Sequence, residues 1–248
     1  MTLVLSLFPG IGLLDLAFEL EGFCVVRGPD SLWGGDVRTF HPPAGRFDGV
    51  IGGPPCQRWS RLVNLVRHVH GEDAVAECLI PEFERVVAEA GPEWWLMENV
   101  PEAPVPAIDG YEVHSLLVDN RWVDDGTGIG QEQQRVRRWS FGDTYGRRLD
   151  LEPELAVLQA AGYTPTVTAN ATSWVRVGGS GKPKPRRGRP ESARSRQYLE
   201  AAQRAQGLPE GWSVSPPLTV RAAVEAVGNG VPIPMGRALA RAVRRATA

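Results

Sequence analysis

The sequence predicts an α/β fold, a central sheet with helices on both faces, and two observations carry that expectation. Short apolar runs at Leu3–Leu7, Phe23–Val26, Phe47–Ile51 and Trp94–Met97 alternate with stretches, from Leu13 to Leu20 and from Glu72 to Ala90, whose apolar residues recur at helical spacing. Gly and Pro mark the junctions: Pro9-Gly10-Ile11-Gly12 follows the first run, Gly52-Gly53-Pro54-Pro55 the third, and Gly91-Pro92 precedes the fourth. Alternation of this kind gives parallel strands joined by right-handed crossovers, with helices packed on each face. Val113–Val118 and Val136–Phe141 read as later strands, and Pro232–Ala246 as a closing helix with proline in its first turn.

Composition narrows the class. The 248 residues include 28 Gly and 21 Pro, about a fifth of the chain, below the roughly 25–30% that marks low complexity. One large domain, with or without a small appendage, is expected. No stretch approaches the ~18 consecutive apolar residues of a membrane span, and no basic leader precedes Val4-Leu5-Ser6-Leu7-Phe8, so a cytoplasmic protein without membrane contact is expected. A net charge of -2 excludes a surface coated throughout by polyanion, leaving any nucleic-acid contact to a local patch. Cys24, Cys56 and Cys78 are odd in number and far apart, which excludes a disulfide framework and a Cys-x-x-Cys site. His41, His68, His70 and His114 lack zinc spacing, and no metal is expected.

After Gly142 the alternation stops. Residues 143 to 204 read as a short irregular region, between a first segment, 1 to 142, and a last one, 205 to 248, that returns to it. Between Gly178 and Arg196 lie Lys182, Lys184, Arg186, Arg187, Arg189, Arg194 and Arg196 against one acid, Glu191.

Phe8-Pro9-Gly10-Ile11-Gly12 is a Gly-x-Gly turn, which alone does not distinguish a nucleotide site from an ordinary strand-to-helix turn. Asp30 strengthens it, because a carboxylate about 20 residues on, closing the second strand, can accept both hydroxyls of an adenosine ribose. Without a phosphate-binding Lys or a third Gly, the ligand is better matched by adenosine carrying a sulfonium amino acid than by a dinucleotide. Cys56 stands past the third strand, at the carboxyl edge where open α/β sheets place their chemistry. Two Gly and two Pro fix an irregular backbone before it, an arrangement that packing alone does not require, so a thiolate nucleophile is expected. Cys24, in a strand, and Cys78, on a helix, are expected to be packing residues. Glu98-Asn99 leaves the next strand on the same edge; surface capping is the plain alternative. Arg135 and Arg137 sit two apart, on one face of a strand, where a solvated basic edge is the alternative.

Taken in order, these pieces resemble the cytosine-5 DNA methyltransferase family, over roughly residues 3 to 142 and 205 to 245. Leu7-Phe8-Pro9-Gly10-Ile11-Gly12 looks like the family's first cofactor motif, with Pro9 replacing a small residue and Leu13 a further Gly. Asp30 falls at the ribose acid, and Gly35-Asp36-Val37-Arg38 is similar to the segment beside the adenine. Gly53-Pro54-Pro55-Cys56-Gln57 with Ser60 matches the nucleophile motif, Leu79 the cofactor-contacting Leu, and Met97-Glu98-Asn99-Val100 the Glu-Asn-Val motif. Gln133-Gln134-Arg135-Val136-Arg137 matches Gln-x-Arg-x-Arg, and Gly228-Asn229-Gly230-Val231-Pro232 the closing motif. Two departures stand out: the stretch between Arg137 and Gly228 is short, and Gln206-Gly207-Leu208-Pro209 only approximates the family's Gln-Gly-Phe-Pro.

The resemblance implies a Rossmann-like class I methyltransferase with a mixed sheet and helices on both faces, its catalytic and cofactor-binding domain at 1 to 142 and a small irregular target-recognition region at 143 to 204, using S-adenosyl-L-methionine and acting as a monomer on double-stranded DNA in a bacterial or phage-infected cell. Its compact size would suit a phage-type member. It implies catalysis by Cys56 and Glu98 with Arg137 and, in support, Arg135, while Asn99 shapes a loop. Cofactor contacts would come from Phe8, Pro9, Gly10, Ile11, Gly12, Asp30, Asp36, Val37, Pro55, Leu79 and Asn229. DNA contacts would come from Gln57, Ser60, Lys182, Lys184, Arg186, Arg187 and Arg189, the last five in a Pro- and Gly-broken loop that cannot be a regular helix. A transfer RNA cytosine-5 methyltransferase and a non-catalytic DNA-binding relative are the rival readings.

Overall fold

The computed structural model describes residues 1–55, 59, 77–124, 126–167, 191–213 and 218–248. Its centre is a six-stranded mixed sheet: β1 (Leu3–Leu7), β2 (Cys24–Arg27), β3 (Gly49–Gly52), β4 (Trp94–Asn99), β5 (Glu112–Asp119) and β6 (Val136–Asp143), in the order β2-β1-β3-β4-β6-β5. The four strands read first from the sequence are mutually parallel, as expected from their crossovers. β6 runs antiparallel to both β4 and β5. Among the described residues between β5 and β6 the only helix is the short helical turn Asn120–Trp122, and the chain returns antiparallel to β5, entering the sheet beside β4.

Period-two alternation assigns the strand residues to two cores. Val4, Ile51, Trp94, Leu96, Trp139 and Phe141 face α1 (Leu13–Leu20), with Leu14 and Phe18, and the closing helix, with Met235 and Leu239. Leu5, Leu7, Val50, Trp95 and Met97 face α2 (Ile80–Ala90), through Phe83, Val86 and Val87. The large rings require glycine opposite them. Gly49 pairs with Trp94 and Gly142 with Trp95, and a Cβ on either glycine would lie 2.2 or 2.1 Å from the facing ring.

α2 starts later than the helical pattern from Glu72 suggested. Residues 72 to 76 lie outside the described residues, 77 to 79 have no regular structure, and Pro81 occupies the first turn, where its missing N–H is harmless. Cys78 is therefore in the approach to the helix, packed beside the Phe83 core, and not on a helix as expected.

The region from 143 to 204 is less irregular than its sequence suggested, because Glu191–Ala205 forms α3. Ala202 is buried with Leu208, Val227 and Ile233 in a third small core, built with α4 (Val220–Asn229) and the start of α5 (Ile233–Thr247). Earlier in that region Glu154, nearly buried, binds Arg241 and Arg245 of α5. Among the described residues no helix is long and apolar enough to cross a membrane.

Candidate active site

The four parallel strands end on one edge, and their loops carry the motif residues. After β1 the backbone makes a tight turn, with Phe8, Gly10 and Gly12 at φ 56°, 54° and 79°. Left-handed geometry at Phe8 strains a non-glycine residue, a feature that clusters at ligand sites. The Gly10 peptide is held from both sides: its N–H donates to Asp30 Oδ2 at 2.8 Å, and its carbonyl accepts from Trp33 Nε1 at 2.6 Å. A Cβ built on Gly10 meets nothing within 4 Å, so the turn presents bare backbone to an approaching molecule. Asp30 Oδ1 accepts from Leu32 N at 2.7 Å, capping the turn Ser31–Trp33, and each carboxylate oxygen retains a lone pair for a hydroxyl.

Behind the turn, Asp15 is fully buried; Ser6 Oγ donates to its Oδ1 at 2.5 Å and Arg27 Nε lies 2.9 Å from its Oδ2. Burial raises the carboxyl above its ordinary value of 3.8, outweighing the lowering by Ser6 and Arg27. The Arg27 guanidinium covers Gly12, where a Cβ would lie 2.6 Å from Nη2. Asp36 caps the turn Val37–Thr39 through Arg38 N at 3.0 Å and is paired with the Arg38 side chain, which lowers its carboxyl pKa; Val37 is buried beneath it. Leu79 packs against the α2 core, and the Asn229 side chain is exposed at the end of α4.

Glu98 and Asn99 are the last two residues of β4, rather than following it, and point to opposite faces. Glu98, on the α1 and α5 face, is nearly buried; its Oε1 lies 2.8 Å from Arg137 Nε, close enough for an ion pair though off the line of a hydrogen bond. Its other oxygen lies over Gly53, where a Cβ would come within 3.3 Å of it. Asn99, buried on the α2 face, donates from Nδ2 to Pro54 O at 3.1 Å and accepts Val100 N at 2.8 Å. The side chains of β4 thus hold the Gly53-Pro54-Pro55 backbone leading to Cys56. Cys56 itself, with Gln57 and Ser60, lies outside the described residues, as do Lys182, Lys184, Arg186, Arg187 and Arg189.

Arg135 differs from Arg137. It precedes β6, is buried, and donates to the carbonyls of Val167, Gly228, Asn229 and Gly230 at 2.9, 3.2, 3.5 and 3.0 Å. Gln206 Nε2 donates to Val227 O and Gly230 O at 2.7 and 3.1 Å. Together they bind the carbonyls from Val227 to Gly230, at and just past the end of α4, where helix carbonyls run short of partners. Arg135, grouped with the catalytic residues in the sequence, is therefore committed to a structural clamp. One contributor to this clamp escaped the sequence reading: Gln206, whose motif was recognised without a role. Among the described residues no group of three or more His, Cys, Asp or Glu could hold a metal.

The sheet order and the loops gathered on one strand edge define the chain as a class I methyltransferase fold. The solved structure of Entamoeba histolytica methyltransferase EhMeth superposes with a TM-score of 0.63 at 12% identity, over 100% of this chain and 99% of that one. A Spodoptera frugiperda DNMT2 mutant gives 0.63 at 12% identity, over 98% and 100%. More particularly, residues 33–105 match the family model of C-5 cytosine-specific DNA methylases, the family that the motifs resemble. Type II methyltransferase M.NgoPII of Neisseria gonorrhoeae is 32% identical over 115 residues, 39% of this chain and 33% of the relative. M.FnuDI of Fusobacterium nucleatum is 33% identical over 113 residues, 39% of this chain and 32% of the relative. The similarity thus spans about a third of the length of these curated relatives.

Proposed function

We propose that this chain is a DNA cytosine-5 methyltransferase that uses S-adenosylmethionine and attacks a flipped-out cytosine through Cys56. The observation that carries the reading is the Glu98–Arg137 pair beside Gly53, with Asn99 tied to Pro54, on the same edge as the open Gly10 turn. An acid, a cation and the approach to a thiol converge there. The bare Gly10 backbone and the remaining acceptors of Asp30 suit an adenosine ligand, so Asp30, Gly10 and the Asp36–Val37 turn would hold S-adenosylmethionine. When bound, that cofactor supplies an electrophilic methyl group on a sulfonium.

The chain's own residues answer a specific difficulty, that C5 of cytosine is a weak nucleophile within an aromatic ring. Addition of the Cys56 thiolate to C6 converts the ring to an enamine whose C5 can accept the methyl group. Glu98 faces N3 and the exocyclic amine, and supplies a proton to N3 as charge builds there. Arg137, oriented by Glu98, faces O2. Loss of the C5 proton to a base, departure of the Cys56 thiolate and return of the N3 proton to Glu98 restore the aromatic ring and the acid. Since C6 is hidden in a duplex, the base must leave the stack first. Arg135 supports by fixing the end of α4, where Asn229 stands.

The test joins a variant to a trap. Cys56→Ser is expected to abolish methyl transfer while keeping S-adenosylmethionine binding, and the wild type should form a denaturation-resistant adduct with DNA containing 5-fluorocytosine, whose fluorine cannot leave as a proton. Turnover by Cys56→Ser would remove the thiol from the mechanism. Transfer to transfer RNA, with none to duplex DNA, would move the substrate to the rival class.

A further inference from the structure

One charged side chain inside the sheet is still without a role. Arg138 is the third member of β6, facing Asn99 across one ladder and Leu117 across the other. Alternation puts Arg137 and Glu98 on the α1 and α5 face, and Arg138 and Asn99 on the α2 face. There the Arg138 Nε and Nη2 donate to Pro101 O at 3.0 and 2.6 Å, while Nη1 donates to Ser115 Oγ at 3.2 Å. Pro101 opens the turn that follows β4, closed by Ala103 N donating to Val100 O at 3.0 Å, with Ala103 buried in the α2 core.

This places the anchor at a sensitive point. Glu98 and Asn99 end their strand, and a strand's last residues are held by fewer ladder bonds than its middle ones. Movement of the turn at Pro101 would pass directly into both side chains. Three donors in one planar fork, two on a single carbonyl, oppose that movement from the neighbouring strand.

We propose that Arg138 is a positioning residue for methyl transfer: by pinning Pro101 and Ser115 it keeps Glu98 against Arg137 and Asn99 against the backbone leading to Cys56. The inference rests on the reading of the site given above. β6 would then serve catalysis on both faces, with Arg137 in the site and Arg138 behind it.

The experiment compares the full chain with Arg138→Met, which keeps the stem and loses every donor, and Arg138→Lys, which keeps one ammonium near the carbonyl. Single-turnover methyl transfer to DNA is measured per active site, the sites being counted by trapping on 5-fluorocytosine DNA, alongside cofactor affinity and melting temperature. Arg138→Met should lower the rate per trapped site by roughly 10- to 100-fold, the scale of a misplacement near 1 Å, with cofactor affinity within about twofold. Arg138→Lys should fall between it and the wild type. A purely structural role would lower the melting temperature and leave the rate per trapped site unchanged, which overturns the proposal. Should Arg138→Met not fold, Arg138→Lys decides alone, and a Lys variant equal to the wild type in rate per trapped site is equally fatal. A wild type that neither transfers methyl nor traps overturns the reading of the site and this inference with it; an active wild type beside an unaffected Arg138→Met overturns this inference alone.

Discussion

Asp15, in the first turn of α1, and Asp30, in the loop after β2, show how two carboxylates beside the same Gly10–Gly12 turn take different parts. Asp30 is shared between the Gly10 and Leu32 amides, each on a separate oxygen. Asp30→Asn retains only one amide oxygen, so it loses one of those two bonds as well as the charge, and a charge-assisted bond contributes about 1.5–3 kcal/mol. Calorimetry should find S-adenosylmethionine bound at least about tenfold more weakly, with DNA affinity little changed; unchanged cofactor affinity would place the ribose acid elsewhere. Asp15 is the opposite case, a buried carboxyl raised above 3.8. The native state holds that proton more tightly than the unfolded chain does. Its contribution to stability is therefore fully present below the unfolded value and lost as pH rises through the folded one. Asp15→Asn, which keeps an acceptor for Ser6, should gain on the wild type in urea unfolding as pH rises from about 4, and a pH-independent difference between the two would contradict the assignment.

At the scale of elements, β4 and β6 do most to build the site and also supply the rigid frame beneath it. Trp95 is fully buried, its ring edge-on to Phe83 and to Tyr111 at 5.8 and 6.3 Å, with Gly142 opposite. Alanine ordinarily favours a strand over glycine, but here its methyl would lie 2.1 Å from that confined ring. The clash decides the sign: Gly142→Ala should destabilise by roughly 1–3 kcal/mol, lowering the melting temperature by several degrees. Trp95→Leu in the same chain should recover part of that loss, and strictly additive effects would argue against the contact. These strands were legible in the sequence because apolar runs ended by Gly, Pro or a polar pair leave a plain pattern. The Glu98–Arg137 pairing was legible only as two motifs, since the sheet order that joins them depends on β6 returning antiparallel beside β4. The Arg135 clamp could not be read at all, because its partners are backbone carbonyls more than 30 residues away. The start of α2 was misread because helical periodicity carries through Glu77–Leu79, whereas Pro81 marks the true first turn.

At the scale of the molecule, the proposed function has to work with a net charge of -2, so a DNA substrate would be held by local charge. The basic stretch from Lys182 to Arg189, outside the described residues, remains the expected duplex contact. Replacing Arg186, Arg187 and Arg189 together by Ala should weaken DNA binding and flatten the dependence of log affinity on log salt by roughly one unit per lost phosphate contact, with cofactor affinity unchanged. An unaltered salt slope would withdraw that stretch from the interface. The packing of α5 on α1 has a bearing of another kind. Arg237 meets Glu21 across 216 positions of sequence, and Leu14, Ala17 and Phe18 are covered by a helix made long after them. On the ribosome, at about 5–20 residues per second, the first helix therefore waits on the order of ten seconds or more with its apolar side uncovered. The sheet can begin to assemble in that interval, but the face bearing Val4 and Ile51 cannot be sealed until α5 emerges, so the half-made chain is the form most exposed to aggregation and most in need of a chaperone.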